Sequence, residues 1–137
     1  MILADTSAWV EYDRATGSVV DQRLTVLIEE AKDLVVTEPV VMEVLIGARD
    51  DPREESLRRL LLRFELLPFE VPADFDAAVR IYRRCRAAGI TPRGTVDCMI
   101  AAVAWRTGAA LLAQDADIIG VAHVMGIPLD SASLGRA

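Results

Sequence analysis

Five acidic side chains of the 137-residue sequence lie where the neighbouring residues are apolar. A carboxylate in such surroundings costs at least a few kcal/mol unless a cation or a strong hydrogen-bond donor accompanies it. Each of the five follows an apolar run typical of a buried strand or lies within an apolar helical stretch. Together they are able to hold a cation in one shared site. The five acids are Asp5, Glu43, Asp97, Asp115 and Asp117.

Glu43 is the acid that packing explains least well. It lies inside the stretch PVVMEVLIGA, and its helical neighbours three and four positions away are Pro39, Val40, Ile46 and Gly47, none of which carries a positive charge. A ligand set made only of carboxylate oxygens favours a hard cation, Mg²⁺ or Mn²⁺, over Zn²⁺. The acids therefore predict a divalent cation site and the hydrolytic chemistry that such a site supports.

Helix capping offers a second interpretation for most of these acids. Asp5 is a suitable N-cap for a helix that begins at Thr6 or Ser7, and Asp115 is suitable for the helix that follows it. Asp97 and Asp117 are favoured in the first turn of a helix by the helix dipole. The two interpretations overlap, because helix N-termini beside strand ends are also where a metal site forms.

The pattern of apolar residues predicts an α/β fold in which a central parallel sheet is covered by helices on both faces. Short apolar runs separated by helical stretches indicate crossover connections, so we expect a single domain, residues 1–137, built as a three-layer α/β/α sandwich of four or five strands. Strands are predicted at Met1–Ala4, Leu34–Thr37, Leu66–Glu70 and Ala109–Ala113, with an edge strand at Ile127–Leu129. Helices are predicted within Asp13–Lys32 and at Pro39–Ala48, Arg53–Phe64, Asp74–Ala88, Gly94–Thr107 and Asp115–Met125.

Composition narrows the possible functions and locations. The chain has 15 basic and 21 acidic residues, so its net charge is −6, which excludes a wholly basic nucleic-acid coat protein. No apolar run approaches the roughly 18 residues that a membrane helix needs, so we expect no membrane association. Asp5 interrupts the N-terminal apolar run, which argues against a signal peptide. Cys85 and Cys98 have no metal-binding spacing, and a reducing cytoplasm fits them best.

Positive charge is concentrated in the middle of the chain. Residues 49–93 contain ten arginines and eight acids, giving +2, whereas the rest of the chain sums to −8. Arg80, Arg83 and Arg84 share one helical face, and Arg93 lies one helical turn before Asp97. Such a rim is suited to binding phosphates, although a solvated helix face explains it equally well. Aromatic residues are scarce, and Trp9 and Tyr12 are expected to pack rather than to stack on bases.

Four segments, taken together and in order, resemble the PIN domain, and more narrowly the VapC-type toxin ribonucleases of bacterial type II toxin–antitoxin pairs. The segments are MILADTSAW, TEPVVMEVLIGA, TVDCMIAAVAW and AALLAQDADI. The resemblance implies a Mg²⁺-dependent endoribonuclease, with Mn²⁺ as a substitute, that cleaves RNA, tRNA being one candidate. It also implies a cognate antitoxin as partner and assembly as a homodimer or as a hetero-oligomer with that antitoxin.

The resemblance assigns a role to each of the five acids. Asp5, Glu43, Asp97 and Asp115 match the family's four catalytic acids, which also bind the metal, and Asp117 matches the companion acid of the last loop. The implied metal ligands include all five. Thr6 lies where a hydroxyl or amide often approaches the metal, and Thr6 and Arg93 are the expected substrate contacts.

The sequence departs from the family pattern at two places. The loop before the fourth acid often carries Thr-Arg, whereas this chain has Ala113-Gln114, which removes a hydroxyl able to position water or metal. Ile118 replaces the aromatic residue that often follows the companion acid, a change typical of repacking.

Three other protein classes are compatible with acids at strand ends. A receiver domain needs an acidic pair after the first strand and a lysine after a later one, but the only lysine is Lys32, which precedes the second strand. A phosphatase with an aspartate nucleophile usually has D-x-D after the first strand, where this chain has Asp5-Thr6-Ser7. The third is a catalytically inactive PIN module that binds a partner or RNA without cleaving it, and the sequence leaves it open.

Overall fold

A computed structural model of the chain describes residues 1–133, and its centre is a sheet of four parallel strands in the order β3-β2-β1-β4. The α/β class, the parallel sheet and the strand number all confirm the sequence-based expectation. The first two connections run in one direction and the third crosses back to the other side of β1, so the strand order reverses between β1 and β4. The strands are β1 (Ile2–Ala4), β2 (Leu34–Val36), β3 (Glu65–Leu66) and β4 (Ala110–Leu112).

Seven helices in the described part of the chain connect and cover these strands. Successive residues of β2 and β4 are buried, which requires cover on both faces of the sheet because neighbouring side chains of a strand point in opposite directions. No helix in residues 1–133 is long and apolar enough to cross a membrane. The helices are α1 (Thr6–Asp13), α2 (Val19–Glu30), α3 (Glu38–Ile46), α4 (Asp51–Leu61), α5 (Ala73–Ala87), α6 (Thr95–Thr107) and α7 (Ala116–Met125).

The structure differs from the sequence-based prediction in two strands and one helix. The third strand is only Glu65–Leu66, and the expected edge strand Ile127–Leu129 is reduced to a single bridge between Leu111 and Leu129. Pro128 has no N–H to donate, which limits that pairing to the bonds made around Leu111. Helix α1 is present and Asp5 is its N-cap. The sequence indicates this helix only through the second interpretation of Asp5, as the cap of a helix that begins at Thr6 or Ser7.

Trp9 anchors α1 to the core. Its side chain is fully buried, and its ring lies 6.1 Å from the ring of Tyr12, edge to face, and 6.2 Å from that of Phe64. Trp9 and Tyr12 therefore pack against the core as expected. Because Asp5 comes immediately before α1, this anchoring also fixes the direction in which the helix leaves β1.

A buried ion pair joins the start of α5 to the end of α6. The Asp74 carboxylate is 1% exposed and accepts hydrogen bonds from Arg106 at 2.9 Å and from the Glu70 N–H at 2.8 Å. Arg106 also donates to the Pro68 carbonyl at 2.7 Å. These bonds hold together the two helices that precede β4, and α6 is the helix that carries Asp97.

Candidate active site

Two of the acids reach the site because their strands are neighbours. Asp5 follows β1 and Asp115 follows β4, and in a parallel sheet the carboxyl ends of adjacent strands meet at one edge. Asp5 caps α1 by accepting from the Ser7 N–H, and Asp115 caps α7 by accepting from the Asp117 N–H at 2.8 Å. Asp5 and Asp115 therefore cap their helices and also lie at the shared site, so both interpretations are correct. The reversal of strand order lies between these two strands, where open α/β sheets form their ligand crevices.

Helices α3 and α6 bring in Glu43 and Asp97. Glu43 lies in the second half of α3, and its Oε1 accepts a hydrogen bond of 2.6 Å from the Thr6 hydroxyl. Asp97 lies in the first turn of α6, after Gly94. Thr6 thus contacts an acid of the site directly and fixes the orientation of its carboxylate.

The acids share one open cleft of about 640 Å³. Asp5, Glu43, Asp97 and Asp115 line it, together with Thr6 and Arg93, and Asp117 lines an adjoining cleft of about 250 Å³ that shares Arg93 and three of the acids. The structure therefore brings all seven sequence-predicted site residues to one place. The tightest group is formed by Asp97, Asp115 and Asp117, which each offer a carboxylate oxygen within 4.8 Å of the other two.

Asp5 is the most deeply buried acid of the cleft, with only 2% of its surface exposed. Its Oδ2 accepts from the Ser7 hydroxyl at 2.6 Å and from the Ser7 N–H at 3.1 Å. Its Oδ1 is buried and has no hydrogen-bond partner among residues 1–133. Burial raises the pKa of Asp5 to about 6, although the hydrogen bonds from Ser7 act in the opposite direction. A buried acceptor without a donor is suited to a cation.

Ionisation is disfavoured more strongly at Asp97 than at Asp5. Burial is the largest cause that raises the pKa of Asp97 to about 7, and the neighbouring charges of Asp5, Asp115, Glu43 and Asp117 contribute the rest of that rise. Carboxylates this close do not all ionise readily in the absence of a cation. The oxygen ligands, their number and their mutual repulsion fit a hard divalent cation.

Arg93 is the positive charge nearest the tight group. Its Nε lies 2.7 Å from Asp117 Oδ2, and its Nη2 lies 3.9 Å from Asp115 Oδ1. The Arg93 side chain is 80% exposed, so this ion pair is worth at most about 1 kcal/mol. Arg93 is therefore free to exchange its carboxylate partners for another anion. Of the arginines expected at a basic rim, Arg80, Arg83 and Arg84 are all exposed on α5, and none of them lines the acidic cleft.

Sequence reasoning missed Ser7 as a site residue. Its hydroxyl donates to Asp5 and accepts a hydrogen bond of 2.9 Å from the Gln114 backbone N–H, so it ties the end of β1 to the loop after β4. The contact of Gln114 is made by its backbone, and the departure from Thr-Arg at that loop therefore leaves this link intact. The available signal was a hydroxyl two residues after a capping aspartate, a pattern that favours a local bond. The departure at Ile118 is a fully buried apolar side chain, as repacking predicts.

A family model described as the PIN domain matches residues 2–124. The chain belongs to the PIN-domain family. Within that family it is 45% identical over 128 residues to "Ribonuclease VapC11" of Mycobacterium tuberculosis. The matched region covers 93% of this chain and 96% of that protein, so this PIN domain is of the VapC type. The sequence-based resemblance is thereby confirmed.

Solved structures of other proteins share the fold at lower sequence identity. FitAcB from Neisseria gonorrhoeae superimposes with a TM-score of 0.75 at 21% identity, covering 96% of this chain and 98% of that one. A toxin–antitoxin complex from Klebsiella pneumoniae superimposes with a TM-score of 0.66 at 20% identity, covering 88% and 92%. These two structures support the architecture of this PIN domain.

Proposed function

We propose that this protein is a metal-dependent endoribonuclease that acts as the toxin of a toxin–antitoxin pair. The observation that carries the proposal is the convergence of five acids on two adjoining clefts, in a chain 45% identical to a protein named as a ribonuclease. An inactive PIN module has no need of a buried acid whose pKa is raised toward neutrality, since that arrangement lowers stability. The acids therefore favour catalysis over binding alone.

The residues present fit a divalent cation, and we propose Mg²⁺, with Mn²⁺ as a substitute. Asp97, Asp115 and Asp117 would hold it as the tight group, and Asp5 would contribute its unpartnered Oδ1. Glu43 would complete a second cation site or would position the attacking water. When bound, such a cation activates water and stabilises the charge that develops on a phosphodiester during hydrolysis.

The remaining side chains of the site have positioning roles. Ser7 orients Asp5, and Thr6 orients Glu43 through its 2.6 Å hydrogen bond. Glu43 is proposed to accept a proton from water through its Oε2, since Thr6 engages only its Oε1. Arg93 binds a phosphate oxygen of the RNA by exchanging its exposed contacts with Asp115 and Asp117.

Cleavage of a labelled mixture of total tRNA and mRNA tests the proposal. The purified protein is incubated with Mg²⁺, with Mn²⁺ or with EDTA, beside the Asp97→Asn variant. We expect discrete fragments with either metal and none with EDTA or the variant, and the fragment ends identify the target RNA and bond. Absence of cleavage by folded protein free of antitoxin would favour the inactive PIN module.

Because Cys85 and Cys98 are free thiols and the proposed substrate is RNA, we propose that this activity takes place in the cytoplasm.

The antitoxin is proposed to bind the groove between α3 and α4. This groove has a volume of about 530 Å³ and is mostly apolar, with Met42, Ile46, Leu62 and Leu66 all at least 45% exposed. Glu43 lies on the same helix, α3, and lines the acidic cleft. An antitoxin segment in the groove is thus able to continue over the acids, where a basic residue would bind them. The helical stretches 40–48 and 53–64 supply most of the residues that line this groove.

A second apolar surface, between α5 and α6, is proposed as the homodimer interface. It surrounds a cavity of about 430 Å³, and Phe75 and Val79 beside it are 58% and 48% exposed. Light scattering of the free protein tests this assignment. A dimer that Val79→Glu dissociates, while Ile46→Glu leaves it intact, supports the assignment, and the reverse pattern contradicts it.

A further inference from the structure

One wall of the acidic cleft is a continuous face of α1. Thr6 and Ser7 at its start, Val10 and Glu11 one turn later, and Arg14 at its end all line the cleft. Residues three to four positions apart share a helix face, which is why this stripe is unbroken. Arg14 is eight residues from Thr6, so the stripe extends about 12 Å along the helix from the acids.

Arg14 is a cation without an acidic partner in the described part of the chain. The two acids nearest to it along the chain are engaged elsewhere, since Asp13 forms an ion pair with Arg53 of α4 and Glu11 accepts a 2.9 Å hydrogen bond from Thr16. Arg14 itself is exposed and forms no ion pair with any residue in the range 1–133. A positive charge at the C-terminal end of α1 is favoured by the helix dipole. The dipole does not explain why Asp13 and Glu11 bind other groups and leave Arg14 unpaired among the described residues.

Arg14 and Arg93 mark different ends of the site. Arg93 lines both adjoining clefts and contacts Asp115 and Asp117, whereas Arg14 lines only the larger cleft, beside Glu11. A polyanion that approaches a cleft with five carboxylates needs positive charge at the rim. An unpaired arginine provides this charge without first breaking an ion pair. Its planar guanidinium also matches the geometry of a phosphate.

We propose that Arg14 binds a backbone phosphate of the RNA, away from the bond that is cleaved, so that the RNA crosses the cleft between the end of α1 and the loop before α6. This inference rests on the proposed ribonuclease function and adds the path of its substrate. Arg14 is a positioning residue. A contact to a phosphate carries no base specificity, so it fixes where the chain lies rather than which sequence is chosen.

Steady-state cleavage of a labelled RNA oligonucleotide that the unmodified protein cleaves tests this proposal. The variants are Arg14→Ala, Arg14→Lys and the control Arg86→Ala. Arg86 is also exposed near the C-terminal end of its helix and forms no ion pair within the described residues, but it lies outside the cleft. We expect Arg14→Ala to raise KM about tenfold with kcat within about twofold, and Arg14→Lys to restore most of the loss.

Salt dependence gives a second readout that a structural defect would not produce. Loss of one phosphate contact lowers the slope of log(kcat/KM) against log[salt] by about one, and the control variant is expected to keep the full slope. Equal KM values and equal slopes for Arg14→Ala and Arg86→Ala would overturn the proposal.

Binding separates this proposal from the proposed function. If the unmodified protein cleaves no RNA, the ribonuclease function fails, and the same variants are compared by fluorescence anisotropy with a labelled RNA oligonucleotide. Weaker RNA binding by Arg14→Ala alone would then support the phosphate contact, and binding equal to that of Arg86→Ala would overturn it.

Discussion

The Ser7 hydroxyl donates a 2.6 Å hydrogen bond to Asp5 Oδ2, and this bond partly offsets the burial that raises the pKa of Asp5 to about 6. The same hydroxyl accepts from the Gln114 N–H at 2.9 Å. One small side chain therefore orients the first acid of the site and fixes the loop that leads to the fourth. Asp5 Oδ1 has no hydrogen-bond partner among the residues that the structure describes and is available to a cation.

Removing this hydroxyl is predicted to weaken metal binding more than folding. In Ser7→Ala the pKa of Asp5 rises further and the Gln114 N–H loses its acceptor. We expect Mn²⁺ affinity at pH 7 to fall about tenfold, the magnitude found when an outer-shell partner of a metal ligand is removed. Isothermal titration calorimetry measures it, with Ser56→Ala on α4 as the control. Equal affinities for the two variants would show that Ser7 has no part in holding the cation.

Thr6 is predicted to act through Glu43. Thr6→Val keeps the shape of the side chain but removes the 2.6 Å hydrogen bond to Glu43 Oε1. We expect kcat for RNA cleavage to fall about tenfold while the free energy of unfolding changes by about 1 kcal/mol. Thr6→Ser, which retains the hydroxyl, is expected to restore the rate. Failure of the serine variant to recover activity would assign the loss to packing instead.

The raised pKa of Asp97 predicts that the metal-free protein loses stability as pH rises. The folded state holds the proton up to a pKa of about 7, whereas the unfolded chain releases it near the ordinary value of 3.8. Between those values the folded state binds more protons, so this contribution to the free energy of unfolding decreases with rising pH.

Chemical denaturation in EDTA at several pH values between 4 and 8 measures this effect. Asp97→Asn removes the titrating group, so the stability of the unmodified protein relative to this variant is expected to decrease across the window. Mn²⁺ at 100 times its Kd is expected to add about 2.7 kcal/mol at pH 8. A relative stability that increases with pH in EDTA would contradict the environment assigned to Asp97.

The Asp74–Arg106 pair is predicted to support stability without taking part in catalysis. Arg106→Ala leaves a carboxylate that is 1% exposed without its charge partner. We expect a loss of about 3 kcal/mol, at the lower end for buried pairs because Arg106 is itself 28% exposed. Urea denaturation measures it, with Arg86→Ala as a near-neutral control. Metal-dependent kcat at a temperature where the variant stays folded is expected to be unchanged, and a lower kcat there would indicate that the pair also positions Asp97.

Much of the fold follows from sequence because its signals are local. The apolar runs before Asp5 and Asp115 predict buried strands, and acids at the carboxyl ends of parallel strands predict a shared cleft. The short strand Glu65–Leu66 is harder to locate, since both its residues are exposed and carry no burial pattern. The extra residues of the site also escape prediction. Ser7 acts through bonds to a backbone N–H that is 107 residues away in sequence, and Arg14 is distinguished by contacts that Asp13 and Glu11 make elsewhere.

The most direct test of the central claim titrates Mn²⁺ into one preparation and follows metal binding and RNA cleavage together. The variants are Asp97→Asn and the control Asp76→Asn, an exposed acid on α5 outside the cleft. We predict that the cleavage rate rises in parallel with occupancy for the unmodified protein and the control, and that Asp97→Asn loses both. Cleavage by Asp97→Asn at the unmodified rate, or cleavage that persists in EDTA, would contradict the assignment of these acids as the metal-dependent catalytic site.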